Sequence, residues 1–174
     1  MAYEDVFDQR KWPHCTLFAI SLAVSKACDD HRVEITSLDV RTALFQHKDI
    51  YKKVKTGFRP KDFDGKTLTV YNRNPDANEF LTYTIKIDKI AINNFRREQP
   101  ATRHVLVVWR YLNGDEDHCM YVIDQVVENG VKCFKCHNSM REGGREPTVV
   151  ASQNKNKLHR VILTVNDRIP LNAS

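Results

Sequence analysis

One long apolar stretch, from Pro13 to Cys28, constrains the fold of this chain more than any other feature. Its sequence, PHCTLFAISLAVSKAC, is apolar on nearly every side of a helix, which is typical of a helix buried at the centre of a domain. Proline suits the first helical turn, because the N–H group that it lacks would have no helical partner there. The stretch therefore predicts a central helix with Cys15 in its first turn.

A second helix is predicted to begin at Thr36. Thr36 and Asp39 form the T-x-x-D pattern of a capping box, and Ile35 is placed to pack against Val40 across that cap. Apolar residues continue at roughly helical spacing as far as Phe45. The first third of the chain is therefore expected to be mainly helical.

From about residue 66 the pattern changes to alternating apolar and polar residues, which predicts strands. The predicted strands are 68–71, 80–87, 104–112, 119–127, 131–136 and 158–165. Asn113-Gly114 and Asn129-Gly130 are typical of hairpin turns. The segment 88–99, DKIAINNFRREQ, is interpreted as a helix between strands. Helices followed by an antiparallel, strand-rich half give the order of an α+β protein.

The size and composition of the chain fit one globular domain. Its 174 residues are 41% hydrophobic and 28% charged, which allows a substantial core and excludes wholesale disorder. We interpret 1–174 as a single domain, with a mainly helical part over 1–66 and a mainly β part over 67–174.

Cysteine usage and the N-terminus indicate where such a protein resides. The five cysteines are odd in number and irregularly spaced, which favours free thiols in a reducing compartment. The N-terminus has no signal-peptide pattern, and nothing approaches the ~18 apolar residues of a membrane span. A cytoplasmic location is therefore expected.

Three residues, Cys15, His118 and Asn138, have the types and contexts that thiol catalysis needs. A thiol is a nucleophile only as the thiolate, which a helix N-terminus and a protonated imidazole both stabilise. His118 opens a predicted strand directly after an acidic turn, where its ring can face a cleft. Asn138 ends the neighbouring strand and is placed to bond the other ring nitrogen. This pattern predicts a nucleophile, its base and an orienting amide.

Three segments of the chain resemble the papain family of cysteine peptidases. In 9–21, QRKWPHCTLFAIS, a glutamine lies six residues before the cysteine, and Phe18-Ala19 follow it, as in that family. The segment 116–122, EDHCMYV, resembles the family's Asp-His segment. The segment 136–144, CHNSMREGG, resembles its Asn-Ser-Trp-Gly-x-Gly segment. The three segments occur in the family's order, so the resemblance spans most of the chain.

The resemblance implies a papain-like, two-lobed α+β fold, with a helical lobe, a twisted antiparallel β lobe and the active site in the cleft between them. It implies that Cys15 is the nucleophile, that His118 is the base and that Asn138 orients it. The side chain of Gln9 and the backbone N–H of Cys15 would form the oxyanion hole. The implied function is thiol-dependent hydrolysis of peptide or isopeptide bonds through an acyl-enzyme, with no cofactor and no metal.

Several positions depart from the family pattern. Thr16 and Met140 stand where the family usually has tryptophans, and Trp12 stands where it has a half-cystine. The intervals from Cys15 to the other two catalytic candidates are shorter than the ~130–150 residues known for the family. These departures keep an alternative open, in which a catalytically impaired papain-like domain serves as a protein-binding or inhibitory module.

Two further patterns each have a simpler interpretation. Cys133-x-x-Cys136-His137 and Cys119 contain zinc-ligand residue types, but positions i and i+3 of a strand face opposite sides. The segment 51–61, YKKVKTGFRPK, mixes five cations with aromatic residues, as in surfaces that bind RNA or acidic proteins, although a solvated basic loop is the simpler interpretation.

The expected partners follow from these patterns. A protein or peptide substrate comes first, and an acidic protein surface is compatible with the net charge of +5. Nucleic acid ranks last, no membrane is expected, and the sequence leaves the oligomeric state open.

Overall fold

The structure, a computed structural model, describes residues 14–90, 104–110, 117–137, 148–151 and 156–171. In the described ranges, helices precede strands along the chain. The helical elements are α1 (Cys15–Asp30), α2 (Ser37–Leu44), α3 (Lys48–Lys52) and a 3-10 turn (Pro60–Phe63). The strands are β1 (Thr67–Tyr71), β2 (Glu79–Ile90), β3 (His104–Arg110), β4 (Asp117–Glu128), β5 (Val131–His137), β6 (Thr148–Ala151) and β7 (Lys157–Pro170).

Helix α1 forms where the apolar stretch predicts it, and it is buried on nearly every side. Leu17, Ile20, Val24 and Cys28 are each at most 1% exposed. Ser21 is also fully buried, and its hydroxyl donates a hydrogen bond of 2.6 Å to the backbone oxygen of Leu17. The prediction of a central helix is confirmed.

The predicted capping box of α2 is also confirmed. The hydroxyl oxygen of Thr36 accepts a hydrogen bond of 3.1 Å from the N–H of Asp39, whose carboxylate accepts one of 2.8 Å from the N–H of Thr36. Ile35 and Val40 lie in the same core cluster, as expected for residues packed across the cap. Arg73 binds the Asp39 carboxylate through two hydrogen bonds of 2.7 Å, which ties the start of α2 to the segment after β1.

The strands form one antiparallel sheet in the order β1-β2-β7-β3-β4-β5-β6. The turn between β4 and β5 confirms the second predicted hairpin, since Asn129 and Gly130 have φ angles of 50° and 77°. Positive φ at both central residues is what a type I′ turn requires. The other predicted turn, Asn113-Gly114, lies outside the described residues.

Two local predictions need correction. The helix expected over 88–99 is wrong at its start, because residues 88–90 belong to β2 and pair with β7; the remainder lies outside the described residues. Strand β6 was not predicted, because its four residues are too short a run to show a clear alternation.

The core forms where α1 packs across one face of the sheet. Alternate residues of β3 and β4 face α1, and the residues between them face the other side of the sheet. The main cluster contains, among others, Leu17, Ile20, Val40, Leu44, Leu81, Tyr83, Leu106, Cys119 and Val161. The cluster on the opposite face contains Val105, Val107, Met120, Val122, Phe134, Cys136, Val150 and Leu158. Helices and strands therefore share one main core.

The predicted two-lobed papain-like fold is wrong. The structure has a single seven-stranded antiparallel sheet, and the helical segment has no core of its own, since α1 and α2 bury their apolar faces in the same cluster as five of the strands. A helix that is apolar on every side needs cover on every side, and here the sheet provides much of it. In the described part of the chain, helices and sheet thus form one packed unit rather than two lobes flanking a cleft.

Among the described residues, no helix combines the length and the apolar character needed to cross a membrane.

Replacing Leu106 with alanine tests whether helices and sheet form one cooperative unit. Leu106 is fully buried in the shared cluster, so the change is expected to lower the free energy of unfolding by about 2–5 kcal/mol. Leu38→Ala is the matched control, because Leu38 is 45% exposed and its loss should cost no more than ~0.5 kcal/mol. Urea unfolding followed by circular dichroism at helix-sensitive and strand-sensitive wavelengths should show one transition. Separate midpoints for the two signals would show that the helices and the sheet unfold as two independent units.

Candidate active site

The N-terminus of α1 is held in place by contacts on both sides of Cys15. Cys15 is the first residue of α1, and His14 precedes it. The His14 ring donates a hydrogen bond of 2.7 Å from Nε2 to the backbone oxygen of Val54, and it packs against the Phe58 ring at 5.7 Å between centroids. The helix therefore begins at a fixed point, and the N–H groups of its first turn have no acceptor within the helix.

His118 lies at the start of β4, near the N-terminus of α1. It is the second residue of that strand, opposite Trp109 of β3, and it is 3% exposed. The described pairing of β4 with β5 begins at Tyr121. The structure therefore places His118 beside the first turn of α1, which packs on β4.

The thiol of Cys15 lies close enough to the His118 ring and to the backbone of Cys119 for both to lower its pKa. The Thr16 hydroxyl also lies 4.0 Å from the sulfur. The structure thus brings together the two residues that the sequence analysis proposed as nucleophile and base, although they are separated by most of the chain. The contact spans the end of a helix and the end of a strand, two rigid elements of one core.

The surroundings of Cys15 favour its ionised form. Burial raises the pKa of the thiol, but the neighbouring His118 ring, the backbone of Cys119 and the hydroxyl of Thr16 lower it. The lowering effects prevail, so the pKa of Cys15 lies below its ordinary value. The helix N-terminus acts in the same direction, because its exposed N–H groups favour negative charge.

Three other cysteines show the reverse behaviour. Burial raises the pKa of Cys28 to about 12 and that of Cys136 to about 12, and it raises the pKa of Cys119 well above its ordinary value. All five cysteines are free thiols. Cys15 differs from these three core cysteines because it has a histidine and a helix N-terminus beside it.

Two of the predicted site residues lie outside the described residues. These are Gln9, expected in the oxyanion hole, and Asn138, expected to orient His118. Their roles remain predictions. The backbone N–H of Cys15, the other expected oxyanion donor, belongs to the first turn of α1.

Strand β5 contains Cys133, Cys136 and His137, which are residue types that bind zinc. Cys133 and Cys136 are both buried in it, and the Cys133 thiol donates a hydrogen bond of 3.5 Å to the backbone oxygen of Val131. Within the described ranges, no three His, Cys, Asp or Glu side chains are grouped so that they could hold a metal ion.

A pocket beside the site was missed by the sequence analysis. Its volume is about 380 Å³, and α1 contributes Leu17 and Phe18, which follow Cys15 in the first turns of the helix. The residues that line it are His14, Leu17, Phe18, Arg41, Phe45, Tyr51 and Val54. Because these residues come from α1, α2, α3 and the segment after α3, no single motif reveals the pocket. The one feature of the sequence that could have indicated the pocket is Arg41, a cation among the apolar residues of α2.

A second histidine ties the other end of α1 to the sheet. His104 bonds the Asp30 carboxylate through Nε2 at 2.7 Å and the Tyr121 hydroxyl through Nδ1 at 2.9 Å. Burial raises the pKa of Tyr121 to about 12, so the phenol keeps its proton at neutral pH. Both ring nitrogens of His104 therefore have hydrogen-bond partners, and we assign this residue a structural role at the C-terminus of α1.

Comparisons with family models, with curated proteins and with solved structures found no match for this chain. The resemblance to the papain family therefore depends on three short sequence segments.

Replacing His118 with alanine tests the contact with the thiol. In the wild-type chain, the rate of Cys15 alkylation by iodoacetamide should rise with pH through a midpoint below ~8.5, the value for a free cysteine. In His118→Ala the midpoint should move upward, because burial still raises the pKa while its main opposing group is gone. Mass spectrometry of the alkylated Cys15 peptide at a series of pH values measures both midpoints.

His31→Ala is the control, since His31 is exposed at the opposite end of α1 and should leave the midpoint unchanged. Equal midpoints in the wild-type and His118→Ala chains would show that the imidazole does not act on the thiol.

Proposed function

We propose that this protein is a thiol-dependent hydrolase that cleaves peptide or isopeptide bonds, with Cys15 as nucleophile and His118 as acid and base. The observation that carries the proposal is the proximity of the partly buried Cys15 thiol, at the N-terminus of α1, to the His118 ring, which lowers the pKa of that thiol. The pKa of this thiol is lowered although it is largely enclosed, and such a combination is typical of reactive cysteines.

The proposed reaction follows from the chemistry of the pair. The Cys15 thiolate attacks the carbonyl carbon of the scissile bond, and the carbonyl oxygen takes the negative charge near the first turn of α1. Protonated His118 donates its proton to the leaving amine as the carbon–nitrogen bond breaks, which leaves a thioester on Cys15. His118 then removes a proton from water, whose oxygen attacks the thioester and releases the acid and the thiolate.

Each of these interactions makes a typical contribution to the reaction rate. General acid–base catalysis by a positioned imidazole contributes roughly 10²–10⁴-fold in rate. An oxyanion donor contributes roughly 10²–10³-fold, and the proposal assigns this role to the backbone N–H of Cys15 and the side-chain amide of Gln9. Asn138 is proposed to hold the His118 tautomer that accepts the proton.

A cytoplasmic location is part of the same proposal. The five free thiols support it, because a catalytic thiolate and four further unpaired cysteines persist most readily in a reducing compartment. A protein or peptide is the proposed substrate, and no cofactor or metal is required by these steps.

A second candidate function is a binding or inhibitory module that has lost catalysis. The observation that favours it is the low exposure of His118, at 3%, because an acid that protonates a leaving group must reach the substrate. This candidate predicts a stable complex with a protein partner and no turnover, whereas the hydrolase predicts a covalent adduct on Cys15.

Replacing Cys15 with alanine should abolish labelling by a thiol-directed peptide probe and should abolish hydrolysis of a fluorogenic peptide. His118→Ala should lower kcat by ~10²-fold or more, because the leaving amine and the water lose their proton donor and acceptor. The readouts are adduct mass and fluorescence release across peptide and ubiquitin-like probes.

Cys133→Ala is the control, since Cys133 lies on β5 and should keep both signals. Equal labelling of the wild-type and Cys15→Ala chains would refute the proposed nucleophile. Tight probe binding without adduct or product would favour the inhibitory module.

A further inference from the structure

The pocket beside Cys15 combines an apolar lining with one buried cation. Phe18, Phe45 and Tyr51 contribute aromatic walls, and the Phe45 and Tyr51 rings meet edge to face at 6.3 Å. Arg41 lines the same pocket and is 8% exposed. We call this space the Arg41 pocket.

The guanidinium of Arg41 is held in one position by two contacts. Its Cζ atom lies 4.5 Å from the centroid of the Phe18 ring, which is a cation–π contact. Its Nη1 donates a hydrogen bond of 3.1 Å to the hydroxyl of Ser37, which is fully buried. A guanidinium carries five N–H donors, so most of them remain for another acceptor.

Among the described residues, no carboxylate forms an ion pair with Arg41. Burial lowers the pKa of Arg41 to about 10, so the group stays charged at neutral pH. A buried charge without an opposite charge destabilises a protein unless a ligand supplies the partner. The Arg41 pocket is therefore suited to an anionic group.

The surroundings of the pocket also favour an anion. Tyr51 and Val54 belong to the segment 51–61, which contains five cations and no acidic residue. Of these cations, Lys53 is paired with Asp62 at 2.6 Å. The net positive charge at this edge would attract an acidic ligand toward the pocket.

The position of the pocket relates it to the proposed reaction. His14 directly precedes α1, and Leu17 and Phe18 lie in it, so all three are within about one turn of Cys15, that is within ~5–6 Å along the helix axis. Because an extended chain advances ~3.3–3.6 Å per residue, a residue next to a carbonyl held at the thiol is within reach of this pocket.

We propose that the Arg41 pocket selects substrates that carry a carboxylate beside an apolar side chain, one residue from the bond attacked by Cys15. This inference rests on the proposed function for the identity of the ligand as a substrate. The carboxylate is either an acidic side chain or a chain terminus, and both would be bound by the planar fork of the guanidinium while the apolar side chain packs against the aromatic walls.

Matched alkylating probes test the selection without requiring hydrolysis. Iodoacetyl-phenylalanine as the free acid is compared with its amide, and iodoacetyl-glutamate amide is compared with iodoacetyl-glutamine amide. In each pair the two probes differ in one charge, and the two pairs distinguish a terminal carboxylate from a side-chain carboxylate. The rate of adduct formation at Cys15 is measured by mass spectrometry in the wild-type chain and in Arg41→Met.

The acidic member of at least one pair should react ~10-fold faster than its neutral partner, as expected for a charge-assisted hydrogen bond to a buried group. In Arg41→Met this ratio should fall to about one, while the rate with plain iodoacetamide stays unchanged. A ratio near one in the wild-type chain, or an unchanged ratio in Arg41→Met, would overturn the proposal.

A second variant guards against misfolding of Arg41→Met. Tyr51→Glu places a carboxylate at the pocket wall on a residue that is 67% exposed, so it should fold and should reduce the same ratio by repelling the acidic probe. Tyr51→Gln is its matched neutral control and should keep the ratio.

Equilibrium binding separates this inference from the proposed function. N-acetyl-phenylalanine and its amide are titrated into the Cys15→Ser chain and followed by NMR. Tighter binding of the acid than of the amide supports the proposed selectivity of the pocket if this preference disappears in the Cys15→Ser, Arg41→Met chain. This result would hold even if the chain hydrolyses no peptide. If the wild-type chain hydrolyses peptides but shows no preference for the acid, the proposed hydrolase function is kept and the proposed selectivity of the Arg41 pocket is wrong.

Discussion

The burial of α1 against the sheet is the constraint on which the rest of this structure depends. Because α1 is apolar on nearly every side, it is stable only when strands cover one side and α2 helps to cover another. That packing fixes the helix relative to β3, β4 and β7 along its whole length, from Cys15 at one end to Asp30 at the other. The two ends are then used differently: a thiol meets an imidazole at the N-terminus, and a carboxylate meets an imidazole at the C-terminus.

The difference between these two histidines illustrates how surroundings decide chemistry. His104 is enclosed between Asp30 and Tyr121, so both of its ring nitrogens are used in holding α1 on the sheet. His118 instead contacts a thiol whose ionisation is aided by the helix N-terminus and the backbone of Cys119. One histidine thus holds the C-terminus of α1 on the sheet, whereas the other lowers the pKa of a thiol at its N-terminus.

The candidate site and the Arg41 pocket are two parts of one arrangement. His14 links them, because it precedes Cys15, lines the pocket and is bonded to Val54 on the far wall. A ligand in the pocket would therefore contact the residues that fix the start of α1. Since small displacements of a nucleophile change reaction rates strongly, recognition and reactivity are expected to be coupled here.

Local sequence patterns were sufficient to specify the individual helices and turns. The apolar stretch specified α1, Thr36 and Asp39 specified the start of α2, and Asn129-Gly130 specified the hairpin, because each depends on side chains within a few residues of one another. The sequence also supplied the pair Cys15 and His118, whose contact the structure contains. Only the tertiary structure decided that the strands form one continuous sheet sharing a core with the helices, since strand order and the packing of distant segments leave no local pattern. For the same reason the Arg41 pocket, assembled from separate segments, was visible only after folding placed its walls together.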